Sequence, residues 1–143
     1  MPRVTLTEQQ SNEYNHPLTV YTIDINYAGH LGNKALLGLV HEVRAYFLKA
    51  LDFITIVGNK QWFGLIIADL AVNFKAEAYA YDQLMADWQI DELREKSFRL
   101  FHRIRRGEQV IALDETGVIT FDYQSGHVVT LPDNFFDRIT NFS

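Results

Sequence analysis

Residues able to hold or move a proton gather in one stretch of this 143-residue chain: Asp24, His30, His41 and Glu42, interleaved with the amides Asn26 and Asn33 and followed by Arg44. Carboxylates and imidazoles are the groups that exchange protons near neutral pH, so acid-base chemistry is sought here first. Other chemistries lack their parts. The chain has no Cys, which removes a thiol nucleophile, a thiolate zinc site and any disulfide framework together. Its four serines are Ser11, Ser97, Ser125 and Ser143, and none lies in a G-x-S-x-G turn. His41-Glu42-Val43-Arg44-Ala45 begins as an H-E-x-x-H zinc motif, but Ala45 replaces the second ligand and no metal site is expected. Gly32-Asn33-Lys34 and Gly58-Asn59-Lys60 lack both the earlier glycine and the following Ser or Thr of a phosphate loop. Arg99, His102, Arg103, Arg105 and Arg106 read either as a phosphate contact or as a solvated strand face.

Positioning these residues requires one helix and several strands. Leu18, Val20, Tyr21, Ile23 and Ile25 form a β-branched and aromatic run between Pro17 and the turn Tyr27-Ala28-Gly29, which predicts a strand. A helix follows, with Asn33 as its N-cap and an apolar stripe of Leu36, Leu37, Val40, Val43, Phe47, Leu48 and Leu51. Glu42 lies about 160° from Val40 at 100° per residue, outside that stripe. It is either an ordinary solvated glutamate or a functional one. Its neighbours on that face, Gly38 and Ala45, favour the second reading, since a mid-helix glycine costs about 1 kcal/mol and invites close approach of a ligand or partner chain. Arg44 lies about 40° from the centre of the stripe and needs a carboxylate partner. Gly29 and Gly32 read as backbone residues of a tight turn, and His30 either contacts substrate or braces that turn.

After Gly58, strand-like segments run over 62–75, 83–90, 96–106 and 109–123. Phe98, Leu100, His102 and Ile104 alternate with Arg99, Phe101, Arg103 and Arg105, a period of two. The order β-α-β-β-β-β predicts an α+β fold with one long helix on a mostly antiparallel sheet. Residues 1–16 are polar and read as a flexible N-terminal arm, leaving 17–143 as one domain. A formal charge of −5 argues against a polyanion binder, so no nucleic-acid partner is expected. With no long apolar run and no export signal, no membrane contact is expected and a cytoplasmic location fits.

Asp24-Ile25-Asn26-Tyr27-Ala28-Gly29-His30-Leu31-Gly32-Asn33, with Glu42 and Arg44 downstream, resembles the D-x-D-x-x-G-H-x-x-N and E-x-R signature of 4-hydroxybenzoyl-CoA thioesterase-like hotdog proteins. Ala80-Tyr81-Asp82-Gln83-Leu84 resembles their Y-G-D-x-L turn, and Leu131-Pro132 with Phe135 resembles a terminal L-P-x-x-F. The resemblance covers roughly residues 18–136. It implies a single hotdog domain, a long central helix wrapped by a five-stranded sheet, working as a homodimer or homotetramer with active sites at the dimer interface. It implies hydrolysis of an acyl-CoA or acyl-carrier thioester to free acid and thiol, without a cofactor.

By motif position, the backbone amide of Asn33 polarises the thioester carbonyl, and Gly29, His30 and Gly32 lie against substrate. The sequence departs from the pattern where the family has its catalytic Asp, because Asn26 stands there and cannot act as a base. In other hotdog branches an amide near the helix start works with a carboxylate on the helix. Asn26 with Glu42 resembles that pairing, and Asp24 is the alternative catalytic carboxylate. A non-catalytic hotdog protein that binds an acyl thioester or related small ligand is the competing expectation.

Overall fold

The computed structural model describes residues 4–8, 14–50, 63–122, 125–128 and 130. Strand β1 (Tyr14–Thr19) is followed by a 3-10 turn over Thr22–Asp24, helix α1 (Asn33–Ala50) and strands β2 (Phe63–Phe74), β3 (Gln83–Asp91), β4 (Ser97–Arg106), β5 (Gln109–Asp122) and β6 (His127–Val128). They form one six-stranded antiparallel sheet in the order β1-β3-β4-β5-β2, with β6 paired to the end of β5. This is the α+β plan expected, with a sixth strand of two residues added. Gly126, at a positive φ of 74°, makes the turn that folds Val128 back beside Phe121.

The alternating apolar residues drive this arrangement. Phe98, Leu100 and Ile104 of β4 and Leu84, Ala86 and Trp88 of β3 are buried on one sheet face, where Leu36, Val40, Val43, Phe47 and Leu48 of α1 cover them. Phe47 meets Trp88 edge-on at 4.3 Å between ring centroids, and Tyr14 stacks on Trp88 at 4.4 Å. Leu37 is exposed and lies off the buried stripe. The Leu51 expectation falls outside the described residues.

The first strand sits earlier than its composition suggests. Tyr14, His16 and Leu18 alternate toward α1, while Asn15 turns to the opposite face and donates to Asp87 at 3.3 Å. Pro17 is accepted inside β1 because β1 is an edge strand. The apolar run then breaks, since Tyr21 and Ile23 point into solvent and the Asp24 carboxylate accepts from the Tyr21 amide at 2.9 Å, closing the 3-10 turn. Residues 4–8 are tied to the sheet: the Leu6 amide donates to Asn73 at 2.6 Å, and Glu8 meets Arg103 at 2.9 Å.

The β4 arginines, with Arg99, Arg103 and Arg105 on the face away from α1, are matched to acids. Arg99 bridges Asp69 and Glu115, Arg103 and Arg105 both grip Asp87, and Arg106 binds Asp82. These half-buried guanidiniums are therefore ion-paired rather than freely solvated. Beneath α1, the His102 ring meets Asp114 at 3.2 Å and Thr116 donates to the same carboxylate at 2.7 Å. Burial pushes the Arg44 guanidinium down, opposed by the charge of Asp114, and Arg44 donates to His41 at 3.1 Å.

Tyr81 falls where the Y-G-D-x-L pattern has its glycine, and it takes a left-handed φ of 67°. A side chain with a Cβ is strained there by about 1–2 kcal/mol. The ring is 68% exposed, so little packing opposes a change. Tyr81→Gly is expected to stabilise the fold by about 1 kcal/mol in urea titration, net of the glycine's extra unfolded-state entropy.

Candidate active site

The chain leading into α1 is shaped by Asn26. Its side-chain oxygen accepts from the Ala28 amide at 3.0 Å and the His30 amide at 3.4 Å, and its backbone N–H donates to the His30 carbonyl at 2.9 Å. Asn and Asp favour such turns because the short polar side chain imitates a backbone acceptor. Gly29 at φ 88° completes the turn in a conformation other residues resist. A Cβ on Gly32 would stand 3.3 Å from the Asn26 Cβ, so glycine lets the turn press against the start of the helix.

The Gly32 carbonyl accepts from the Leu36 amide at 2.9 Å, which makes Gly32 the cap and Asn33 the first helical residue. The cap thus falls one residue before the expected Asn33, and the Asn33 side chain instead accepts from the Lys34 amide at 3.0 Å. A first-turn amide has no partner within its own helix and points outward with the positive end of the helix dipole. The loop is held down across the sheet by the Leu31 amide, which donates to Ala78 at 2.7 Å.

A cleft of about 420 Å³ opens beside this turn, lined by Asn26, His30, Leu31 and Asn33 from the helix side and by Phe74, Lys75, Ala76 and Glu77 from the end of β2. Three of the sequence candidates, Asn26, His30 and Asn33, therefore converge. Gly29 and Gly32 shape the backbone beside them without lining the cleft. Glu42 is exposed on α1 and does not line it, and neither does Asp24, whose carboxylate is engaged with Tyr21. His30 is half-buried, with its Nδ1 3.5 Å from the Leu31 carbonyl and its Nε2 3.6 Å from Glu77.

Glu77, Lys75 and Phe74 were not reachable from the sequence. They lie just where a strand ends, and nothing in their spacing marks them. Glu77 accepts from the Tyr79 hydroxyl at 2.8 Å, and this hydrogen bond with the negative charge pushes the Tyr79 hydroxyl up, keeping it a donor. Among the described residues, no cluster of His, Asp or Glu could hold a metal ion.

The family model of the thioesterase-like superfamily matches residues 20–139, a span that includes α1, the cleft and strands β2 to β6. The chain belongs to this superfamily. No curated protein matches it closely enough to assign a relative by sequence. Among solved structures, this superfamily member is similar to a 1,4-dihydroxy-2-naphthoyl-CoA thioesterase from Synechocystis, with TM-score 0.78 at 21% identity over 90% of this chain and 96% of that one. It is also similar to a gentisyl-coenzyme A thioesterase, with TM-score 0.78 at 23% identity over 88% of this chain and 99% of that one. A hypothetical protein from Thermus thermophilus gives TM-score 0.80 at 13% identity over 92% of this chain and 100% of that one. The hotdog architecture is thus shared at low identity. Among the described residues, no helix of this thioesterase-like protein is long and apolar enough to cross a membrane.

Proposed function

We propose that this superfamily member hydrolyses an acyl-CoA or acyl-carrier thioester to free acid and thiol in the cleft at the start of α1. The observation that carries this reading is that Asn33, the first residue of α1, lines one cleft together with an apolar wall of Leu31, Phe74 and Ala76. A first-turn backbone amide suits an oxyanion that forms as water adds to the carbonyl. Lys75 in the cleft and exposed Lys34 are the cations placed to meet CoA phosphates; Lys60 lies outside the described residues.

Asn26 cannot activate the attacking water, since it cannot take a proton and its side-chain oxygen serves the turn, so another group must do so. Glu42 does not line this cleft and could serve as that base only when presented by a second copy. The outer edge of β2 has no strand neighbour among the described residues, and Leu70 and Phe74 on β2 are exposed. Unpaired edges invite pairing, so a homodimer, or a tetramer built from it, is part of this reading. Sedimentation at micromolar concentration is expected to give at least a dimer; a monomer would remove Glu42 from the site.

Thiol release from a panel of acyl-CoAs tests the reaction. Aromatic acyl groups belong in the panel, since two of the similar structures are thioesterases of aromatic acyl-CoAs and Phe74 offers an aromatic wall. Asn26 itself favours a second reading, a protein that binds a thioester without cleaving it. Absence of turnover on every substrate, with activity appearing in Asn26→Asp, would establish that second reading.

A further inference from the structure

The cleft already contains an acid of its own. Glu77 is the single carboxylate among the described residues that line it, carried just beyond the end of β2, and its position is defined from several sides. One oxygen accepts from the Tyr79 hydroxyl at 2.8 Å, and the other stands 3.6 Å from His30 Nε2. Its own backbone carbonyl accepts from Arg106 at 3.3 Å. The next residue, Ala78, is buried and accepts from the Leu31 amide, so the strand end carrying Glu77 is stapled to the turn that presents Asn33.

We propose that Glu77 is the water-activating carboxylate of this cleft, with Tyr79 and His30 as its positioning residues. The proposal rests on the thioester-hydrolase reading above and deepens it. Glu77 takes a proton from water as the water oxygen bonds to the thioester carbonyl carbon, and the carbonyl electron pair moves to the oxygen facing the Asn33 amide. The intermediate then collapses with cleavage of the C–S bond. The bonding pair leaves with sulfur, which takes the proton held by Glu77, so that the carboxylate is restored and the products are acid and thiol. The Tyr79 hydroxyl and the His30 ring, one on each carboxylate oxygen, fix the direction of the carboxylate. At 59% side-chain exposure, Glu77 is open to the water it must activate.

The test is steady-state thiol release by the full chain, using the panel member that the wild type hydrolyses fastest. Glu77→Gln is expected to lower kcat by about a hundredfold or more, as loss of a general base does, with KM changed little. Glu77→Asp is expected to restore part of the rate. Tyr79→Phe is expected to reduce kcat by less, with KM and melting temperature near those of the wild type, a split that a merely structural tyrosine would not produce. Because Glu77 is exposed, Glu77→Gln should melt with the wild type. A Glu77→Gln rate within threefold of wild type overturns the proposal, and a hundredfold loss confined to Glu42→Gln transfers the role to Glu42. A wild type silent on every thioester removes the hydrolase reading and this proposal with it.

Discussion

Replacing Asn33 with proline is expected to lower kcat by about two to three orders of magnitude while α1 remains intact. Asn33 is the first helical residue, a position where proline is well tolerated because its backbone N–H has no partner within the helix and its φ is already suitable. The substitution therefore removes one hydrogen-bond donor from the cleft with little other disturbance. Loss of a single oxyanion donor costs about 2.7–4 kcal/mol of transition-state stabilisation. Asn33→Ala keeps the N–H and loses only a contact to the neighbouring Lys34 amide, so it is expected to stay within about tenfold of wild type. Circular dichroism and thermal melting of both variants accompany the kinetics. Equal loss in the two would show that the side chain matters and would refute the assignment of the amide.

Asp87→Ala is expected to destabilise the protein by about 3 kcal/mol, measured by urea unfolding, with a fall in Tm of roughly 10 °C. The Asp87 side chain is 2% exposed and receives Arg103 at 2.8 Å, Arg105 at 2.5 Å and Asn15 at 3.3 Å. Its removal leaves two guanidiniums facing each other without their common anion. Asp69, by contrast, is 57% exposed, and Asp69→Ala is expected to cost under about 1 kcal/mol although its contact to Arg99 is just as short. Burial by itself raises the Asp87 carboxyl, but hydrogen bonds from Arg105, Arg103 and Asn15 outweigh it and hold the group below the usual carboxylate range. Because folding lowers this value, the stabilisation is complete above the unfolded value of about 3.9 and is lost as pH falls through the lower native one. Unfolding free energies measured from pH 5 to pH 2 should fall more steeply in the wild type than in Asp87→Ala.

Where one periodicity governed a segment, the sequence revealed the structure well. The alternation from Phe98 to Arg105 is β4, and the stripe from Leu36 to Leu48 is the buried side of α1, Leu37 excepted. β1 was obscured because its inward residues, Tyr14 and His16, are polar or amphipathic and its outward Asn15 serves a carboxylate far along the chain. The continuous apolar run after Pro17 suggested a longer strand than exists, because Ile23 is 89% exposed and periodicity does not register a change of direction. At the site, Asn26, His30 and Asn33 were legible because they sit within eight residues of one another and match a known spacing. Glu77 was not, because its approach to His30 depends on the pairing of β2 with β5. The arginines of β4 were ambiguous for the same reason. Their acids lie on β2, β3, β5, the turn before β3 and residues 4–8, and only the fold brings them opposite.

That sheet order also fixes when the protein can begin to close during its synthesis. Thr19 of β1 pairs with Gln83, and Phe63 of β2 pairs with Asp122, so the first half of the chain leaves the ribosome with its strand partners still untranslated. Among the main strands, only β3 with β4 and β4 with β5 join neighbours in sequence. The meander from Gln83 to Asp122 is therefore the piece that can zip through local hairpins, giving β1 and β2 a template to join at its two sides. Chains dominated by such distant pairings fold in milliseconds to seconds rather than microseconds. Until residues 118–120 are made, the apolar β2 segment Leu65-Ile66-Ile67 has no strand to receive it, and a ribosome halted in β4 or early β5 holds the nascent chain in an aggregation-prone form.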